Sequence, residues 1–80
     1  MARITLRMFA GARQAAGTAS AEFDAGSVGE VVSQAVDRFG PEFERIVAAS
    51  RIWLNGEAVE GDEPVGEGDE VAVLPPVSGG

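Results

Sequence analysis

SVGEVVSQAVDRFGP, residues 27–41, is the stretch from which the fold of this chain is read. Ser27 and Glu30 stand at capping-box spacing: the Ser hydroxyl accepts from the third backbone N–H while Glu30 reaches back to the N-cap. Val28, Val31, Val32, Ala35, Val36 and Phe39 then recur at helical spacing and line one side. Gly40 stands where a left-handed C-cap belongs, and Pro41 forbids continuation of the helix. Valine is a mediocre helix former, so this helix takes most of its stability from packing on a sheet.

The sheet is legible on both sides of it. Upstream, residues 3–9 alternate, with Ile4, Leu6 and Met8 against Arg3, Thr5, Arg7 and Phe9, which predicts a strand with one buried face. Residues 10–18, small and broken by Gly11 and Gly17, read as a loop. Residues 19–25 alternate again, with Ala19, Ala21 and Phe23 on one side, and pair with the first strand as a hairpin.

Downstream, residues 42–49 predict a short helical turn burying Phe43, Ile46 and Val47. Residues 51–54 predict a strand with Ile52 and Leu54 inward and Trp53 outward. Asn55-Gly56 is the preferred dipeptide of a type I′ hairpin turn, with residues 57–59 as the return strand. The acidic residues 60–68, punctuated by Gly61, Pro64, Gly66 and Gly68, read as an exposed loop. Residues 70–74 form the last strand, with Val71 and Val73 inward, and it ends at Pro75.

This order predicts an α+β domain over residues 1–74: a mixed sheet of four to five strands with one main helix on one face. Residues 75–80 form an extended, flexible tail. One helix covers one face, so the other meets water or a partner. By strand parity Phe9, Trp53 and Leu74 lie on that uncovered face, where a contiguous apolar patch marks an interaction site.

Composition removes whole classes of function. The 80 residues suffice for one small core. There is no Cys and no His, which excludes disulfides, a thiolate nucleophile and the usual general base, and no metal site is expected. All six basic residues are Arg, and the net charge of −7 argues against nucleic-acid binding. No apolar run approaches a membrane span and the N-terminus lacks a signal-peptide pattern, so the expected location is cytoplasmic. After Arg51 there are seven acidic residues and no basic one. That acidic face serves solubility, or steers the chain to a basic partner surface.

The sequence ends Pro75-Pro76-Val77-Ser78-Gly79-Gly80. With 11 glycines in the chain, composition alone can supply a terminal pair. Its context is more telling: two prolines hold an extended base, two residues without Cβ make a thin tip, and a carboxylate ends it. Six extended residues reach about 20 Å.

The ending Gly68-Asp69-Glu70 followed by Pro75-Pro76-Val77-Ser78-Gly79-Gly80 resembles that of the MoaD family, the small sulfur-carrying subunit of molybdopterin synthase. Phe9-Ala10-Gly11-Ala12-Arg13 with Gly17 is similar to that family's first loop, and Leu54-Asn55-Gly56 matches its middle hairpin. Gln14 stands where the family usually has Glu, and Ala12 where a larger apolar residue is common. The resemblance implies a ubiquitin-like β-grasp fold and a carrier that is not catalytic alone. Gly80 would carry the acyl-adenylate and then the thiocarboxylate, presented on Pro75 to Gly79. ATP would be consumed by a MoeB-like adenylating partner, with no cofactor bound by the carrier itself. A MoaE-like large subunit would receive it on Phe9, Trp53, Leu74 and Arg13 and pass the sulfur to a pterin precursor. Two other readings stay open: a sulfur carrier for thiamine or cysteine synthesis, and a non-catalytic β-grasp adaptor, with protein conjugation as its variant.

Overall fold

The computed structural model describes residues 2–59 and 62–76. The elements run β1 (Ala2–Met8), α1 (Ala10–Ala16), β2 (Ser20–Ala25), α2 (Val28–Phe39), α3 (Pro41–Ala48), β3 (Arg51–Leu54), β4 (Glu57–Ala58) and β5 (Glu70–Leu74). The strands form one five-stranded sheet in the order β2-β1-β5-β3-β4. β1 and β2 pair antiparallel as predicted, β5 runs parallel to β1, and β3 is antiparallel to both β4 and β5.

One face of the sheet holds the core. Ile4, Leu6, Met8, Val71 and Val73 alternate inward from the two central strands and are essentially fully buried. Ala12 of α1, Val28, Val31 and Ala35 of α2 and Phe43 of α3 join the same cluster, so all three helices among the described residues cover the same side. The aromatic rings interlock edge-on. Phe39 meets Phe23 at 6.4 Å and Phe43 at 5.1 Å between centroids, and the Arg38 guanidinium lies 4.3 Å over the Phe23 ring.

The capping box forms with a shifted partner. The Glu30 N–H donates to Ser27 Oγ at 3.2 Å, but the Glu30 carboxylate accepts from the Gly26 N–H at 2.7 Å, one residue before the N-cap. Gly40 has φ 99° and ψ −176°, a glycine conformation extended in ψ rather than the expected left-handed cap. The reason is its double duty. Its N–H closes α2 on the Val36 carbonyl, and its own carbonyl accepts from Glu44 to open α3.

Residues 10–18 are not a loop. Residues 10–16 are the helix α1, which Gly17 ends with φ 78° and an N–H donated to the Arg13 carbonyl at 2.9 Å. Gly17 is therefore a C-cap rather than a breaker. Gly11 lies within α1, facing Ile46 of α3; a Cβ there would meet Ile46 Cδ1 at 3.7 Å, an ordinary contact. The main helix is thus one of three. Ala19 lies exposed before β2 rather than in it, and Phe9 is the extended N-cap of α1 rather than the end of β1.

Asn55 and Gly56 have φ of 50° and 87°, both positive as a type I′ turn requires. The described part of the acidic segment is tied down at several points. Pro64 bridges to Ser27, the Val28 N–H donates to Glu63 at 2.8 Å, and Val65 packs half-buried against the core. The Asp62 carboxylate accepts from the Gly29 N–H at 2.7 Å in the first turn of α2. No helix among the described residues is long and apolar enough to cross a membrane.

Candidate functional site at the exit of the central strand

β5 is the last strand in sequence and the middle strand in space, hydrogen-bonded to β1 on one side and β3 on the other. The chain therefore leaves the sheet from a strand that is paired on both sides. The start of that strand is fixed by Gly68-Asp69-Glu70. Gly68, at φ 85°, donates to the Arg3 carbonyl, and the Thr5 N–H donates to the Asp69 carbonyl at 3.1 Å. The Asp69 carboxylate accepts from the Gly66 N–H at 2.8 Å and from Asn55 Nδ2 at 3.1 Å. The Gly66 bond first and the Asn55 bond second hold the Asp69 carboxyl below the ordinary carboxylate range. Asn55 Oδ1 in turn accepts from the Glu70 N–H at 2.9 Å.

The face opposite the helices carries the alternate residues of each strand. Trp53 stands across from Ala72 on one side and Ala58 on the other, and Arg51 across from Leu74. Arg7 pairs with the Glu70 carboxylate at 3.2 Å, an exposed pair that contributes little stability. Toward the exit of β5 the face becomes apolar. An open groove of roughly 720 Å³ is lined there by Arg51, Trp53, Val59, Leu74, Pro75 and Pro76, among others.

The structure thus brings Trp53, Leu74, Pro75 and Pro76 together. Among the described residues, Leu74 and Phe9 are the large hydrophobics that stand exposed, at 37% and 44%. They are also the residues one step beyond the last β1–β5 pair, Met8 with Val73. Arg13 is exposed one helical turn past Phe9, whose carbonyl accepts from its N–H at 3.4 Å; it does not line the groove. Val77, Ser78, Gly79 and Gly80 lie outside the described residues. Arg51 and Val59 are groove residues that sequence reading missed. Arg51 faces Leu74 only through a strand register that local sequence does not encode. Among the described residues no three His, Cys, Asp or Glu side chains gather as a metal-ligand set.

A five-stranded mixed sheet with its helices on one face, and a central last strand that runs on into the C-terminal segment, defines a ubiquitin-like β-grasp domain. The chain belongs to the ThiS family, whose sequence model matches residues 6–80. Among solved structures, SAMP1 from Haloferax volcanii is similar at 29% identity, with a TM-score of 0.86 over 98% of this chain and 99% of the other. A Pyrococcus furiosus protein provisionally assigned as molybdopterin converting factor subunit 1 is similar at 28% identity, with a TM-score of 0.84 over 96% and 100%. The complex of subunits 1 and 2 of the Helicobacter pylori molybdopterin-converting factor matches at 22% identity, with a TM-score of 0.72 over 98% and 99%, a likeness of fold alone.

Proposed function

We propose that this chain is a sulfur carrier whose working group is the Gly80 carboxylate, and that it serves molybdenum cofactor biosynthesis as the small subunit of a molybdopterin synthase. The observation that carries the proposal is the family match, which extends through Gly80, on a domain whose central strand delivers that segment. The Gly-Asp-Glu start of β5 and the Pro-Pro-Val-Ser-Gly-Gly ending favour the molybdopterin branch.

The chemistry follows from what a carboxylate cannot do. Its charge repels nucleophiles and oxide is a poor leaving group. Attack of a Gly80 oxygen on the α-phosphorus of ATP, in an adenylating partner, gives the acyl-adenylate and releases pyrophosphate. Sulfide, released by a sulfur donor, then attacks the acyl carbon; AMP leaves, the proton goes to solvent and the thiocarboxylate remains. The carrier contributes position: Gly79 and Gly80 are thin enough for a narrow active site, and Pro75 and Pro76 reduce the entropy lost on ordering. The partner supplies the catalytic side chains. Phe9, Trp53, Leu74 and Arg13 would form its docking face. A larger subunit would receive the loaded carrier, as the Helicobacter pylori protein of this fold stands in complex with a second subunit.

Intact-mass spectrometry tests this directly. Incubation with ATP, a MoeB-like enzyme and a sulfur donor is expected to exchange one terminal oxygen for sulfur. An unchanged mass, with the activating enzyme competent on its own carrier, rules the reading out. A second reading, attachment to protein lysines, draws on the SAMP1 likeness, which is as near as that to the Pyrococcus protein. It predicts a covalent adduct with an added lysine-bearing protein in place of the thiocarboxylate.

A further inference from the structure

β2 is an edge strand, paired with β1 on one side and with no strand on the other among the described residues. Six residues make an edge long enough to recruit a further strand, so the fate of its outward backbone groups decides what it can bind. The Met8 N–H donates to the Ala19 carbonyl at 2.8 Å, in the register that sets Leu6 across from Ala21 and Ile4 across from Phe23. Bonded and non-bonded pairs alternate along an antiparallel ladder, so Ala21, Phe23 and Ala25 turn their N–H and C=O groups toward β1. Ser20, Glu22 and Asp24 turn theirs outward.

Side chains close both ends of this outward row. Thr18 Oγ1 donates to the Ser20 carbonyl at 3.0 Å and accepts from the Ser20 N–H at 3.4 Å. Gln34 Nε2 reaches across from α2 and donates to the Asp24 carbonyl at 2.9 Å. Glu22 stands exposed between them, and no side chain among the described residues covers its outward N–H and C=O.

The strand that matches this edge in length is a second β2. Laid antiparallel about Glu22, it would set Glu22 across from its own copy, with Ser20 across from Asp24 on either side. Both flanking pairs are already occupied by Thr18 and Gln34. The central pair would bring two carboxylates directly opposite each other, which is repulsive. The far edge of the sheet offers no substitute. β4 is two residues long, and the Val59 N–H bond to the Ile52 carbonyl leaves only Ala58 of those two turned outward.

We propose that Thr18, Glu22 and Gln34 close the β2 edge against pairing with a second copy, so that the chain stays single with its open sheet face free for partners. The device lies in the edge alone and holds whatever the C-terminal segment carries. Its parts act differently. Thr18 and Gln34 take donors and acceptors out of the ladder, whereas Glu22 acts through charge and weakens as salt rises.

Sedimentation of the full chain across a concentration series tests this, with wild type beside Thr18→Ala/Glu22→Thr/Gln34→Ala. The wild type is expected to remain a monomer. The triple variant is expected to dimerise at least about tenfold more tightly, because both flanking pairs become available and the facing carboxylates are gone. Amide exchange locates the contact: the Glu22 N–H should exchange fast in the wild type and slow with rising concentration in the variant. A wild type that dimerises with Glu22 protected would overturn the proposal, as would a folded triple variant as monomeric as the wild type. A variant dimer in which Glu22 exchange ignores concentration would also overturn it, since the association would then lie elsewhere. None of the three residues belongs to the core. If the triple variant nonetheless loses its unfolding transition, Glu22→Thr/Gln34→Ala, which keeps the Thr18 turn, is judged by the same outcomes.

Discussion

Asn55 Nδ2 donates to the Asp69 carboxylate at 3.1 Å, and this bond joins the type I′ turn after β3 to the turn that opens β5. The same Asn55 accepts from the Glu70 N–H at 2.9 Å and gives its own backbone N–H to the Glu70 carbonyl at 2.8 Å. Asn55 thus fixes the start of the central strand through its side chain and its backbone N–H. Asn55→Ala is expected to lower the urea midpoint measurably and to loosen β5, read as faster amide hydrogen exchange at Glu70 and Val71. Unchanged exchange there would show that the ladder alone holds the register.

Asp69 also makes acid stability testable. Its carboxyl is held below the ordinary value of 3.8 by the Gly66 N–H and the Asn55 amide. A depressed folded-state pKa adds stability that is present above the unfolded pKa and lost as pH falls through the folded value. Wild type should therefore exceed Asp69→Asn in stability at neutral pH, with the gap closing below about pH 4. A gap independent of pH, measured by urea titrations across that range, would contradict the assignment.

Phe43 fills the space beneath α3 and is fully buried. Phe43→Ala is expected to cost about 3–5 kcal/mol, a large share of the roughly 5–15 kcal/mol that holds a domain together. Equilibrium unfolding checks it, and a loss under about 1 kcal/mol would mean the cavity collapses freely.

Gly29 shows a competition between propensity and capping. A Cβ there would stand 2.7 Å from Asp62 Oδ1, so Gly29→Ala must displace the carboxylate that accepts from its N–H. The helix gains up to about 1 kcal/mol from alanine and loses a hydrogen bond of about the same size. The substitution should be near neutral in the wild type and stabilising in an Asp62→Ala background. Equal effects in both, in a double-mutant cycle, would show no coupling.

At the docking patch, Leu74→Asp or Phe9→Asp should weaken binding to an adenylating partner by about 2 kcal/mol or more, while the unfolding midpoint stays near that of the wild type. Calorimetric titration against the partner decides it. Deletion of Gly80 is expected to do the reverse, abolishing sulfur transfer with binding and folding retained.

Periodicity carried much of the fold because burial on one face imposes it residue by residue. Ile4, Leu6 and Met8, the α2 stripe, and Val71 with Val73 were all legible on that account. α1 was not. Ala10, Ala12, Ala15 and Ala16 are small, so their apolar stripe is weak, and the helix is completed by packing on α3 rather than by its own pattern. At the site, parity assigned Trp53 and Leu74 to the open face, but Arg51 beside Leu74 is a matter of strand register.

By itself the sequence determined the chemistry available to this protein. It left no thiol, imidazole or lysine amine, and it supplied the run Pro75-Pro76-Val77-Ser78-Gly79-Gly80. It also determined which faces are buried, because hydrophobic spacing is a local property. Only the tertiary structure decided that the last strand is the central one, parallel to the first. Strand order depends on contacts between residues more than sixty positions apart, and no short-range pattern encodes them. That arrangement holds the strand that leads into Pro75 and Pro76 on both sides.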